Sequence, residues 1–345
     1  MRDAADWSGN PFAVESDAPV RKRLIVAPAA ALLLLLTGCA SGSAASDAPS
    51  SSASPAAETC AATTSGAASD SVTVKGAIGE KPTASFDAPL KVTKTERTVQ
   101  TTGDGAETKH GEMVGIEVTL YNAVTGKLVQ QSSYAGGPMQ VTISDDSLIP
   151  ALVRAIECVP TGSRVVSVSP ASDAWGDQGS QDGSVGPDEG VVIVADVLSI
   201  TPSKATGEPV AADASLPAVE LDKTGAPTVT IPDRAAPADY QLGVLKQGDG
   251  AEVADGDTVT VQYQGVNWRT GKVFDQSWTR GAPSQFATNQ VIKGFTKALV
   301  GQKVGSQVIA VIPPDMGYGA AGSESAGIKG TDTLVFVVDI LATSR

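Results

Sequence analysis

The chain has 345 residues, room for about two domains, and 41% of them are hydrophobic, enough for a packed core in each. Its 25 Lys+Arg against 38 Asp+Glu give a net charge of −13, and no basic patch follows residue 23, which argues against a nucleic-acid partner. One histidine, His110 in a polar turn that reads as surface, and three cysteines leave little material for a metal site or a histidine-dependent triad.

Arg21-Lys22-Arg23 and the apolar run Leu24 to Leu36 read as the basic and hydrophobic parts of an export signal. The run is too short to span a bilayer comfortably. It closes on Leu36-Thr37-Gly38-Cys39, which resembles a bacterial lipobox. Cys39 would then be the first mature residue and carry lipid. The expectation is a lipoprotein signal over 1–39 and a chain anchored to the outer face of the cytoplasmic membrane. An ordinary signal peptide with a chance cysteine is the alternative. Residues 1–19 are unusually polar for a leader, which makes Val20 a candidate start. Residues 40–70 are Ser/Ala/Pro-rich without a hydrophobic period and read as a flexible tether, reaching roughly 30 Å. Export leaves Cys60 and Cys158, which an oxidising compartment could join; two free thiols is the equal alternative.

The chain then repeats itself. Pro82, Gly103, Gly111, Thr125-Gly126-Lys127 and Ser132 answer Pro227, Gly248, Gly256, Thr270-Gly271-Lys272 and Ser277 at a constant offset of 145. The offset then falls to 143, where Ile149, Gly162, Pro170 and Gly176 answer Ile292, Gly305, Pro313 and Gly319. Turn residues recurring in register imply the same backbone twice. The expected layout is one domain over 71–205, a linker over 206–221 and a second domain over 222–345.

In the second copy Val259, Val261 and Tyr263 alternate with polar residues, as on a half-buried strand. Gln307 to Ile312 and Thr333 to Leu341 are Val/Ile-rich strands. Lys293 to Val300, closed by Gly301, is the one good short helix. Each copy is therefore predicted to be α+β, a curved antiparallel sheet wrapped around a short helix. Pro150 opens the matching helix of the first copy, where proline is tolerated.

Five blocks follow in order between Tyr263 and Phe336: V-Q-Y-Q-G, V-F-D-Q-S-W-T-R, V-I-K-G-F, I-P-P-D-M-G-Y-G and T-L-V-F. Their order and spacing resemble the FKBP-type peptidyl-prolyl cis/trans isomerases. The resemblance implies a proline pocket lined by Tyr263, Phe274, Phe286, Val291, Ile292, Phe295, Tyr318, Ile328 and Phe336, with Phe295 as its floor. It implies that the Ile292 N–H and the Tyr318 hydroxyl hold substrate backbone, and that Asp275, fixed by Tyr263 and Arg280, faces the rotating carbonyl. No cofactor and no metal are expected. The partners implied are unfolded or newly exported chains with Xaa-Pro bonds. A non-catalytic peptide-binding or chaperone protein on the same fold is the alternative.

Some positions depart from the family. Ser284 stands where a bulky residue is common, and Lys329-Gly330 where a proline is usual. The first copy has Val118, Val129-Gln130, Leu152 and Trp175 at the positions of Tyr263, Phe274-Asp275, Phe295 and Tyr318, so it is expected to fold without isomerising proline. Asp/Gly-rich stretches at 173–189 and 248–257 suit a hard cation in composition, but they lack the twelve-residue calcium-loop spacing and read as polar loops.

Overall fold

Residues 191–194, Gln307–Ile312 and 334–341 are nearly continuous apolar runs, and a strand of that kind buries both faces. The strand holding Val259, Val261 and Tyr263, expected to be half-buried from its alternation, is also buried on both faces, because its polar residues lie under a covering segment. The computed structural model describes residues 63–211 and 213–345. The export signal, Cys39, the tether as far as residue 62 and Cys60 lie outside the described residues. Cys158 is disulfide-bonded.

The first domain comprises α1 (Ala67–Asp70), β1 (Thr73–Lys75), β2 (Thr83–Ser85), β3 (Glu96–Thr101), β4 (Met113–Asn122), β5 (Leu128–Gln131), β6 (Met139–Thr142), α2 (Pro150–Ile156), β7 (Ser163–Ser169) and β8 (Val191–Ile200). The second comprises β9 (Glu208–Pro209), β10 (Ala218–Leu221), β11 (Pro227–Thr230), β12 (Gln241–Gln247), β13 (Thr258–Asn267), β14 (Val273–Gln276), β15 (Ser284–Ala287), α3 (Lys293–Leu299), β16 (Gln307–Ile312) and β17 (Leu334–Ser344). The sheets run β3-β7-β8-β4-β5 and β9-β12-β16-β17-β13-β14, with β6 and β15 also pairing β4 and β13. β4 maps onto β13 at the 145 offset and α2 onto α3 at 143. The two residues are lost between β15 and α3, where 288–292 replaces the longer 143–149.

β17 shows how one strand serves two cores. Leu334, Phe336, Val338 and Ile340 face α3, while Val335 and Val337 face the opposite way. There they meet Leu216, Val219 and Val229, on or beside the β10–β11 hairpin. The β1–β2 region covers the first sheet likewise, over Val166, Val168, Val192 and Val194. Part of the segment read as linker is therefore built into the second domain: β9 adds to its sheet edge and β10 pairs β11. The last residues of the tether also depart from the coil expected. Ala67–Asp70 forms a helical turn because the Glu96 carboxylate accepts the N–H groups of Ala68 and Ser69 at 2.9 and 3.3 Å. The Ser69 side chain closes against Thr98 at 2.8 Å.

A buried aspartate on each outer face pins the covering segment. Asp196 is gripped by Arg164 through two 2.6 Å bonds and accepts the Gly79 N–H at 2.7 Å. Arg164 also donates to the carbonyls of Gly76 and Ala77, both at 2.7 Å. At the matching place Asp339 has, among the described residues, only neutral donors at hydrogen-bond distance, Gln307 at 2.6 Å and the Ala205 N–H at 2.8 Å, and burial pushes its carboxyl up. Asp196→Asn strands the buried Arg164 and is expected to cost about 3–5 kcal/mol. Asp339→Asn is expected to cost about 1–2 kcal/mol. Urea unfolding of the two variants checks this order.

Candidate functional site

The aromatic cluster is built from one side chain on each of several elements. β13 supplies Tyr263, β14 Phe274, β15 Phe286, α3 Phe295 and β17 Phe336. Phe295 is the hub, with ring centroids 6.0 Å from Tyr263, 6.0 Å from Phe286 and 5.1 Å from Phe336. Phe274 stands edge-on to Phe336 at 5.5 Å, and Tyr263 to Phe286 at 5.6 Å. Edge-to-face pairs satisfy the ring quadrupoles and fix the rings against one another. Val291, Ile292 and Ile328 pack into the same cluster. The helix enters through Ile292, an extended N-cap residue, and among the described residues no protein group accepts its N–H.

One glycine makes room for the rings. A Cβ on Gly265 would lie 2.6 Å from the Phe274 ring and 3.0 Å from Phe336. Gly265 sits opposite both Asp275 and Phe336 in the sheet. The V-Q-Y-Q-G motif names this glycine without showing what approaches it; a glycine inside a strand pattern is the signal of such a close approach.

Asp275 and Arg280 meet at the rim with Tyr263. The Tyr263 hydroxyl donates to Asp275 at 2.5 Å, and Arg280 donates to Asp275 at 2.8 Å and to the Tyr263 oxygen at 2.8 Å. The guanidinium carbon lies 5.4 Å from the Tyr263 ring centroid. Ser284, in place of a bulky residue, accepts a further Arg280 bond at 3.2 Å. Burial pushes the Asp275 carboxyl up, but the Tyr263 and Arg280 bonds outweigh it and leave the group below its ordinary value. Burial, then the Asp275 bond, pushes Tyr263 up to about 12. Tyr318 stands apart from these groups. It is 39% exposed, and burial and the Asp275 charge both raise its hydroxyl.

No three His, Cys, Asp or Glu side chains gather as metal ligands among the described residues. In the 173–189 loop Asp173 pairs with Arg154 at 2.6 Å, and Glu189 accepts from Asn122 at 2.7 Å.

The family model for FKBP-type peptidyl-prolyl cis-trans isomerase matches residues 250–341. A FK506-binding protein of Streptomyces anulatus is 40% identical over 118 residues, covering 34% of this chain and 95% of that protein. The chain belongs to the FKBP-type isomerase family. A probable FK506-binding protein of Corynebacterium glutamicum is also 40% identical, over 34% of this chain and 97% of its own length. The FKBP-type isomerase FkpA of Escherichia coli is 44% identical over 28% of this chain and 35% of itself.

The matched residues fall in the second FKBP-like domain. In the first, the same backbone positions hold aliphatic residues. Val118, Val141, Leu152, Val185 and Ile193 stand for Tyr263, Phe286, Phe295, Ile328 and Phe336, and all five are buried. Leu120 replaces Gly265 and is fully buried, so its side chain occupies space the second domain leaves to its rings. Trp175, in place of the exposed Tyr318, packs onto the core beside Val129 and Met139. The first domain lacks the rings, and it has Gln130 where the second has the Asp275 carboxylate.

Gly265→Ala forces Phe274 and Phe336 apart and is expected to lower kcat/KM at least ~10-fold while costing about 1–3 kcal/mol of stability. Isomerisation assays beside thermal melts would separate the two effects. No site group titrates near neutrality: Asp275 is shifted down and Tyr263 up. Because the folded carboxyl lies below ~3.9, the Asp275 contribution is complete above about pH 5 and fades as acid protonates it. A pH profile of kcat/KM is expected to be flat from about pH 5 to 9.

Proposed function

We propose that the second domain performs the isomerisation, turning Xaa-Pro bonds in the hollow between Phe274, Phe286, Phe295 and Phe336. The observation that supports this is the coincidence of a ring cluster with the Asp275–Tyr263–Arg280 triangle beside it, while the first domain, on the same scaffold, has neither. The imide bond is planar because resonance separates charge across it, and rotation crosses ~18–20 kcal/mol. Twisting breaks that resonance and leaves a less polar carbonyl–nitrogen pair. A dry, aromatic wall stabilises that state relative to the planar one, which is the condition for catalysis. The proline ring gains about 25 cal/mol for each Å² buried. The free Ile292 N–H and the Tyr318 hydroxyl hold the substrate backbone. Asp275, ionised and fixed, faces the rotating carbonyl carbon.

In the whole chain, Asp275→Ala is expected to lower kcat/KM on a short Xaa-Pro peptide by ~10–100-fold, the scale of a charged hydrogen bond. Tyr318→Phe is expected to lower it by ~2–10-fold. Unchanged rates in both variants would instead favour a peptide-holding or chaperone role, read out as suppression of client aggregation.

The same reading extends to place and clients. The lipobox-like Leu36-Thr37-Gly38-Cys39 after an apolar run supports a lipid anchor at Cys39 and work on newly exported chains outside the membrane. Cys39→Ala is expected to abolish incorporation of labelled fatty acid and release the protein from the membrane fraction; labelling that persists would refute the anchor.

A further inference from the structure

We infer that Asp332, Arg269 and Asn267 form a positioning cluster for isomerisation, tying the hairpin that bears Tyr263, Phe274 and Asp275 to the rim loop that bears Ile328. The inference rests on the proposed site in the second domain.

The two sides of the hollow come from segments far apart in the chain. Tyr263 and Phe274 flank the β13–β14 turn, whereas Tyr318 and Ile328 lie on the long loop between β16 and β17. The Asp332 side chain, 1% exposed, joins them. Arg269, in the hairpin turn, grips it with a planar two-bond fork, Nε to Oδ1 at 2.7 Å and Nη2 to Oδ2 at 2.8 Å. Asn267, the last residue of β13, donates to Oδ2 at 2.7 Å. The Lys329 N–H donates to Oδ2 at 2.9 Å, and the Lys329 carbonyl accepts the Asp332 N–H at 3.0 Å.

Both backbone groups of Lys329 are thus held by Asp332. The preceding residue is Ile328, which lines the hollow and is 4% exposed. Its other side is held by Ser323, whose backbone exchanges two bonds with it at 2.8 and 2.9 Å. Ile328 is therefore clamped between two fixed points, one of them reaching directly to the opposite wall. The segment 329–330 is Lys-Gly, with no proline to stiffen it, so the carboxylate supplies the restraint. The Arg269 guanidinium holds the Asp332 carboxyl well below the usual carboxylate range, against burial, so the clamp stays charged at working pH.

The duplicated domain separates scaffold from function. There Glu189 takes the place of Asp332, accepting from Asn122 at 2.7 Å and from the Gly186 N–H at 2.6 Å. The position of Arg269 is held by Val124, which has no charge to offer. The loop turn survives without a cation in the domain that lacks the rings. Of the two domains, the arginine is present in the one that carries the ring cluster and the proposed site, where the distance between the walls matters. A displaced wall of ~1 Å can cost up to about 100-fold in a positioned reaction.

The test compares the whole chain with its Arg269→Gln and Arg269→Lys variants, using a short Xaa-Pro peptide well below the melting point of each protein. The Ile328 methyl resonance is recorded by NMR alongside. The expected result is a fall in kcat/KM of about tenfold in Arg269→Gln, partial recovery in Arg269→Lys, and a shifted or broadened Ile328 methyl signal. A kcat/KM within about twofold of wild type and an unmoved Ile328 signal, whatever happens to the melting point, would overturn the inference. A wild type without isomerase activity would sink the reading of the hollow itself, and the Ile328 signal alone would then decide whether Arg269 sets its wall.

Discussion

Edge-on packing of aromatic rings carried by separate elements is the interaction on which the rest of the second domain depends. Interiors pack densely because a void forfeits dispersion contacts on one side. Tyr263, Phe274, Phe286, Phe295 and Phe336 brace one another, each from a different element. Gly265 lets two of them approach the sheet. The double-faced sheet behind them, covered by its own N-terminal hairpin, gives the rings a backing that does not yield.

The first domain shows the same fold without that ring packing. Its strands, helix and turns recur in register. At the positions of the cluster, aliphatic side chains replace rings, Leu120 replaces the glycine, and Trp175 lies down on the core. The polar loss follows the same line. Without a tyrosine hydroxyl at position 118, a carboxylate at 130 would have no partner on that wall.

Much of this was legible in the sequence, because glycines, prolines and aromatics carry their constraints locally. The repeat was readable from turn residues alone, and the two-residue change of offset falls where the chain runs from β15 to α3. The ring cluster was readable because its blocks keep family order. What escaped depends on partners remote in sequence. The helical turn at Ala67–Asp70 is capped by Glu96. The outer core exists because a hairpin folds back over Val335 and Val337, although the unbroken L-V-F-V-V run signalled two buried faces. The Asp332 ion pair has no local signal, since Arg269 lies 63 residues away.

The central claim is that proline enters the second domain's hollow and not the first's. It is tested most directly by titrating the whole chain with a proline-containing peptide and following side-chain NMR signals from both domains. The account predicts perturbed signals from Phe295, Phe336 and Ile328, with Leu152, Ile193 and Trp175 unmoved. Perturbation of Leu152 and Trp175, or none in the aromatic hollow at saturating peptide, would contradict it.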